Sequence, residues 1–405
     1  MTIEIRPASA EEMVQMGAIG SYVYGGAFGD GPDNIMVTAN KPEWTLCAFI
    51  DGEMAASFCT IPFTMRALGR GVPMGGISMI GTQPNHRRKG LVRKLMTRAL
   101  SDMREAGQAV AALWASQAAI YQRYQFAMTT VQRSYDIDTV DIGFYDGDMG
   151  NYEVILTGPE KCFAELKSIY ITNANNRICY LHRSSVLWRM NFLDEREEDG
   201  PVRIGLCRDD AGKAVGYVIF SLRADKVSHG SRSQRIKIRD LVALNMDAYR
   251  SLWRFIASHD LVGSVQWRNA PLDDPAPELF IEPRLLNMQD NEGLWLRIVD
   301  VVKALSQRGY IESGAICIRI LDDPLAPWNG GTYLLSASPD GAEVIKSKDS
   351  PDIELSVKAL ASLYTGFRSA RVLASWGLLM GDNHKLALAE RIFSSPYLPH
   401  CPDHF

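Results

Sequence analysis

Gly76-Ile77-Ser78-Met79-Ile80-Gly81-Thr82-Gln83-Pro84-Asn85-His86-Arg87-Arg88-Lys89-Gly90-Leu91-Val92-Arg93 is the stretch whose reading decides the fold. Its first half is apolar and reads as a strand ending at Thr82, because Pro84 has no N–H to give to a sheet ladder. A basic turn carrying Gly90 follows, and from Leu91 the residues Leu91, Val92, Leu95, Met96, Ala99, Leu100 and Met103 share one helical face. Ala109 to Ala115 is then a continuous apolar run, as expected of a strand buried on both faces in a parallel pairing. Strand, helix and strand make a crossover, so the first ~130 residues read as a mixed α/β domain. The turn is an anion site: backbone N–H groups converge with the positive end of the helix dipole, and Arg88 and Arg93 add charge suited to a pyrophosphate. The plainer reading of Arg87-Arg88-Lys89 is a solvated loop, but its place between a buried strand and a helix start favours the anion. It is neither G-x-x-x-x-G-K-[ST] nor G-x-G-x-x-G.

Working outward, Thr2 to Arg6 reads as a strand, and Ser9 with Glu12 as a capping box opening a helix through Met13, Met16 and Ile19. Thr45 to Ile50, the Asp51-Gly52 turn, Met54 to Met65, the glycines Gly69 and Gly71, and Val72 to Ile80 read as successive hairpins. Val202 to Cys207, the turn Asp209 to Gly212, Ala214 to Arg223, Arg239 to Leu244 and a helix around Leu252, Trp253 and Ile256 echo that order. A degenerate second copy and a coincidence of common hairpins both fit. Asn269 to Pro277, with three prolines, reads as an interdomain connection. Beyond it Leu294 to Leu305 reads as a helix, Ala315 to Leu321, Thr332 to Ala337 and Glu343 to Lys346 as strands, and two helices follow. The last segment, Ser394 to Phe405, carries three prolines and two aromatic rings, too apolar for a solvated tail.

At 405 residues, with 46% hydrophobic and 22% charged residues, the chain is a folded protein of two to three domains. Lys plus Arg number 43 against 47 Asp plus Glu, and a net charge of −4 has the wrong sign for a nucleic-acid partner. The seven cysteines are scattered singly without a C-x-x-C pair, which reads as reduced thiols in a cytoplasmic protein. There is no signal peptide, no membrane span and no metal site to be read from the sequence.

A second chemical signal lies in Leu113-Trp114-Ala115-Ser116-Gln117-Ala118-Ala119-Ile120-Tyr121-Gln122-Arg123-Tyr124. A buried strand ends at Ser116 and a short helix follows, which sets Tyr121 near the carboxyl ends of the strands, where open α/β sheets hold ligands. A phenol, protonated at neutral pH, can hand its proton to a departing thiolate. Half-buried aromatic packing is the alternative for both Tyr121 and Tyr124. In the glycine-rich stretch Gly25 to Asp33, Phe28 and Asp30 pair an aromatic ring with a carboxylate, as a cation site would; a core ring beside turn residues fits equally.

Arg87-Arg88-Lys89-Gly90-Leu91-Val92 resembles the Arg/Gln-x-x-Gly-x-Gly/Ala acyl-CoA loop of the GCN5-related N-acetyltransferase (GNAT) superfamily, with Val92 standing where that pattern has a small residue. The order of this loop, the Ala-Leu-Trp-Ala-Ser strand, the Ile-Tyr-x-Arg-Tyr helix, the degenerate second copy and the terminal Asp403-His404-Phe405 is similar to the enhanced intracellular survival (Eis) family across the whole chain. One departure is Gln125, where that family commonly has glycine. The resemblance implies an α/β and α+β fold class: a catalytic GNAT domain over 1–135, a degenerate GNAT-like domain over 136–288, and a sterol-carrier-protein-like α+β domain over 289–405. It implies acetyl-CoA contacts from the backbone of Ile80, Gly81 and Thr82, from the loop Arg88, Lys89, Gly90, Leu91, Val92 and Arg93, and from Ser116 and Gln117. It implies Tyr121 as acid and, as base, the terminal carboxylate of Phe405, threaded from the third domain into the first. A free α-carboxylate ionises near 3.5, so such a base must be desolvated or must act on an amine already partly neutral.

The implied activity is acetyl transfer to an amine of a cationic acceptor, an aminoglycoside, polyamine or lysine side chain, with Phe28, Asp30, Asp403 and Phe405 on the acceptor side. A homo-oligomer, a hexamer by resemblance, goes with it. The rival is a non-catalytic carrier or sensor of lipid or acyl-CoA built on the third domain. Against it, the anion loop and Tyr121 are intact in the first copy, whereas Asn245-Met246-Asp247-Ala248 replaces the basic loop in the second.

Overall fold

The computed structural model describes residues 2–26, 35–229 and 231–405. They divide into two compact units, Met1–Thr129 with Leu294–Ser395 and Phe405, and Thr130–Gly293 with Pro396–His404.

The first unit opens with Ile3–Arg6 (β1), Met13–Val23 (α1) and Ile35–Thr38 (α2). The capping box forms: Ser9 N–H donates to Glu12 Oε2 at 2.7 Å and Glu12 N–H to Ser9 Oγ at 3.3 Å. Hairpins of Cys47–Ile50 (β2), Glu53–Ala67 (β3) and Arg70–Thr82 (β4) follow, then Leu91–Glu105 (α3), Val110–Trp114 (β5), Ala118–Gln122 (α4) and Ala127–Met128 (β6). Asp51-Gly52 and Leu68-Gly69 all have positive φ, as tight hairpin turns require. One face of α3 (Leu91, Leu95, Met96, Ala99, Leu100, Met103) packs on Ala111 and Leu113 of β5 and Ala56 and Phe58 of β3. The opposite face of the sheet takes α1 through Met13, Met16 and Ile19 against Phe49, Cys59 and Met79.

The second unit runs through Val131–Ile137 (β7), Glu153–Thr157 (β8), Pro159–Asn175 (α5), Ile178–Leu181 (β9), Ser185–Trp188 (α6), Val202–Arg208 (β10), Ala214–His229 (β11), Arg232–Ala243 (β12), Met246–Ala257 (α7), Val262–Ala270 (β13), Ala276–Leu279 (α8) and Gln289–Glu292 (β14). Its sheet runs β14-β7-β13-β12-β11-β10-β8, with β12 and β13 parallel across α7, so the second copy repeats the strand-helix-strand crossover of the first. Asn269 to Pro277 corrects one expectation. It is no connection: Asp274 is buried, accepts from the hydroxyls of Tyr135 and Tyr249, and leads into α8 inside this unit's core.

The chain then returns to the first unit with Leu294–Ile298 (β15), Val301–Gln307 (α9), Gly314–Ile320 (β16), Gly331–Ser338 (β17), Gly341–Lys346 (β18), Ile353–Leu355 (β19), Val357–Tyr364 (α10), Ala370–Ser375 (α11), Leu379–Gly381 (β20) and Asn383–Ile392 (α12). The expected helix at Leu294 is therefore a strand. It inserts between β5 and β6 in the order β1-β2-β3-β4-β5-β15-β6, and the helix starts only at Val301, where Asp300 caps it. Three helices, not two, follow the β16-β17-β18 meander. In the tail, Pro399 to Asp403 are buried, as its apolar composition requires.

Candidate active site

Two irregularities in the first sheet open the site. Strands β4 and β5 pair in parallel only at Met74 with Val110, Gly75 with Ala111 and Gly76 with Ala112; beyond Gly76 both continue but the ladder stops, leaving a fork. Along the other edge of β4 the register with β3 shifts between Ser57 and Cys59, because Met79 is an extra residue with φ of 56°. Such a bulge bends the strand and re-aims its groups. The Ser57 hydroxyl holds the Met79 carbonyl at 2.8 Å, fixing the backbone just before Ile80, Gly81 and Thr82.

A cleft of about 730 Å³ follows from this fork, lined by Ile80, Gly81, Thr82, Arg88, Gly90, Leu91, Val92, Arg93, Ser116, Gln117 and Tyr121. Every acyl-CoA contact expected from the sequence thus meets there except Lys89. The Lys89 side chain is outside the lining, its Nζ 3.4 Å from His86 Nδ1, because Arg88 and Gly90 both take left-handed φ (63° and 76°) and carry the exposed residue between them away. Phe28 and Asp30 lie outside the described residues. Val23, Arg87, Arg123 and Tyr124 also line the cleft, and sequence reasoning did not assign them to it.

The cleft is built for an anion at one end. The residue before α3, Gly90, gives it no side-chain cap, and no acidic residue stands in its first turn. The first intrahelical bond is Lys94 N–H to the Gly90 carbonyl, so the N–H groups of Leu91, Val92 and Arg93 have no helical acceptor. The equivalent helix of the second unit is closed: Asn245 Oδ1 accepts from Ala248 N–H at 2.8 Å. The Thr82 hydroxyl is also buried without a hydrogen-bond partner, and it faces the same cleft. Open helix N–H groups, the side chains of Arg88 and Arg93 and a free hydroxyl suit a phosphate-bearing ligand with a polar arm.

Tyr121, only 4% exposed, lines the same cleft. Burial pushes its phenol up to about 12, with the Ser116 side chain pulling the other way. Tyr24, at the end of α1, is likewise raised by burial and opposed by Ser116, and its hydroxyl lies 3.5 Å from the Ile80 carbonyl. The α4 turn is braced by Arg297 of β15, which donates to the Tyr124 carbonyl and pairs with Asp323 at 2.6 Å, both side chains fully buried. Gln125, in the place where glycine is usual, takes the left-handed φ of 63° that the turn demands.

Phe405 falls in the first unit, its ring 4.9 Å from that of Phe63. Asp403 corrects a further expectation. It is fully buried in the second unit, where Arg183 Nε donates to it at 2.7 Å and the Tyr170 hydroxyl at 3.2 Å. Its charge is spent on Arg183 and does not face an acceptor. Among the described residues no group of three or more His, Cys, Asp or Glu side chains could hold a metal ion.

A crossover sheet forked at an uncapped helix, with a phenol at the fork, defines an acyl-CoA-dependent transferase of the GNAT type. Residues 4–129 and again 179–298 match models described as acetyltransferase (GNAT) domain, and 301–402 match a sterol carrier protein domain. An uncharacterized N-acetyltransferase of Streptomyces avermitilis is 32% identical over 82% of this chain and 82% of its own. N-acetyltransferase Eis of Mycobacterium tuberculosis is 28% identical over 78% of this chain and 76% of its own. The crystal structure of Eis1 from Mycobacterium abscessus superposes with a TM-score of 0.83 at 26% identity, covering 100% of both chains. A GCN5-related N-acetyltransferase from Anabaena variabilis reaches 0.86 at 25%, again over 100% of both. The chain belongs to the Eis-type N-acetyltransferases of the GCN5-related superfamily.

Proposed function

We propose that the chain transfers an acetyl group from acetyl-CoA to a primary amine of a cationic acceptor, an aminoglycoside, polyamine or lysine side chain, by direct attack in a ternary complex. One observation carries the reading: the open N-terminus of α3, the unpartnered Thr82 hydroxyl and the buried Tyr121 phenol line the same cleft. The N–H groups of Leu91, Val92 and Arg93 and the side chains of Arg88 and Arg93 would hold the diphosphate of the donor, and Ser116 and Gln117 its arm.

The amine nitrogen attacks the thioester carbon, and the carbonyl oxygen turns anionic against N–H groups along Ile80 to Thr82. Collapse breaks the C–S bond, the sulfur leaves against the Tyr121 hydroxyl, and the proton on nitrogen passes to the carboxylate of Phe405. The products are an N-acetyl amide and the CoA thiol, and the proton taken up by the Phe405 carboxylate returns through solvent to the Tyr121 oxygen, which restores the enzyme. A phenol at about 12 is fully protonated near neutrality. Complete transfer to a thiolate of pKa about 8.5 in water would be uphill by about 5 kcal/mol, so the thiolate must be held in the same desolvated site, which raises its own pKa. No acyl-enzyme is required, and burial holds the thiols of Cys47 and Cys59 up at about 11 and about 12.

Phe28 and Asp30 are proposed as the acceptor wall, and a homo-oligomer in the cytoplasm as the working form. The test is release of free CoA from acetyl-CoA with a panel of aminoglycosides, polyamines and a lysine peptide. Release with at least one cationic amine, lost in Tyr121→Phe, is expected; release with none of them would overturn the acceptor class.

A further inference from the structure

We propose that Phe63 and Gly76 form a seat that positions Phe405, so that these two residues of the first sheet set where the proton acceptor stands. The inference rests on the reading of the Phe405 carboxylate as that acceptor.

Gly76 is the last residue of β4 paired to β5, so it lies at the crotch of the fork. Side chains alternate across a strand, and Gly75 and Gly76 differ accordingly. A Cβ built at Gly75 would lie 2.6 Å from Met103 Sδ of α3, whereas one built at Gly76 would lie 2.9 Å from Phe405 Cε2 and closer still to the Phe63 ring. The Phe405 ring is therefore in contact with bare backbone at Gly76, and it leans on Phe63 with the planes 53° apart. Both rings are only partly buried, so the seat opens to solvent rather than into the core.

Tilted ring pairs at this spacing attract beyond their buried area and favour one rotamer of the ring. A phenylalanine ring has two χ angles, and fixing the ring limits its Cα and carboxylate to a small volume. Four residues of strand, about 13 Å, separate Gly76 from Ile80, where the thioester carbonyl is proposed to lie. The seat thus sets how far along the fork the carboxylate reaches. Neither Phe63 nor Phe405 is itself among the buried core residues.

The experiment measures kcat, KM for both substrates and acetyl-CoA binding by calorimetry in Phe63→Leu, Phe63→Tyr and Gly76→Ala. A displacement of about 1 Å at a reacting group can cost about a hundredfold. Phe63→Leu and Gly76→Ala should lower kcat by about ten- to a hundredfold while acetyl-CoA affinity and thermal midpoint hold, and Phe63→Tyr, which keeps the ring, should retain most of kcat. If Gly76→Ala does not fold, Phe63→Leu alone decides. Unchanged kcat in both Leu and Ala variants, or a fall matched by lost acetyl-CoA affinity, overturns the seat. A chain with one glycine appended after Phe405 separates the two claims. If it is inactive while the seat variants are normal, only the seat falls; if it is fully active, the carboxylate reading falls and the seat with it.

Discussion

Arg183→Met should destabilise the second unit strongly, and by an amount that grows with pH. In the wild type Arg183 donates to Asp403 at 2.7 Å and to Asp240 at 2.6 Å, and the side chains of Arg183 and Asp403 have 0% exposure. Its guanidinium also lies 3.8 Å from the Tyr170 ring centroid and 3.9 Å from that of Phe192. Methionine fills much of the volume but leaves two carboxylates buried with only the hydroxyls of Tyr170 and Tyr217 as donors. Removing one partner of such a buried pair costs about 3–5 kcal/mol. Burial already holds the Asp403 carboxyl above its usual range, with Arg183 as the chief opposing influence, so loss of Arg183 raises it further. A carboxyl raised in the folded state contributes stability that is complete below about 3.9, its unfolded value, and is lost as pH rises through the folded value. The gap between wild type and variant should therefore be wider at pH 8 than at pH 5. The assay is urea unfolding followed by tryptophan fluorescence, to which Trp188, 4.5 Å from the guanidinium, contributes along with the other seven tryptophans. Adding Asp240→Asn and Asp403→Asn to the methionine variant should recover much of the loss. A gap under about 1 kcal/mol at pH 8, or one equal at both pH values, would refute the reasoning.

Other consequences are as direct. Tyr121→Phe should lower kcat by about 10²- to 10⁴-fold with acetyl-CoA affinity little changed, as steady-state kinetics beside calorimetry would show. The wild-type pH profile should rise as the acceptor amine is deprotonated and show no falling limb from Tyr121 below about pH 12, its folded value. Gly90→Ala, at φ of 76°, should strain the turn before α3 by about 1 kcal/mol and weaken acetyl-CoA binding about tenfold. Asp274 is buried among the tyrosine hydroxyls without a cation, and burial pushes it up to about 6. Its stabilising contribution is complete below 3.9 and lost as pH rises through 6, so Asp274→Asn should raise the thermal midpoint relative to wild type at pH 8 and not at pH 4.

The loop from Pro84 to Arg93 was legible because each step in it has a local cause: proline ends the ladder, glycine permits the left-handed turn, and the apolar period changes from strand to helix. The place of Tyr121, on a short helix just after a buried strand, was legible from the change of period at Ser116. The bulge at Met79 was not, since methionine has no preference for positive φ and the group that holds its carbonyl is the Ser57 hydroxyl, 22 residues away. Leu294–Ile298 reads as apolar in either state, and only its neighbours β5 and β6 make it a strand. Its Arg297, a charge at a fully buried position, is intelligible only with Asp323 beside it. Asn269 to Pro277 has the composition of a linker, yet Asp274 is paired to tyrosines 139 and 25 residues off. Asp403 misled in the opposite sense, as a carboxylate near the terminal Phe405 whose charge Arg183 consumes.

The most direct test of the account is kcat for the chain carrying a C-terminal carboxamide on Phe405, made by peptide ligation and assayed by CoA release with an accepted amine. The carboxamide keeps the ring in place and removes only the charge. The account predicts a fall of about a hundredfold or more in kcat with acetyl-CoA binding intact. Full activity in the amidated chain would contradict it.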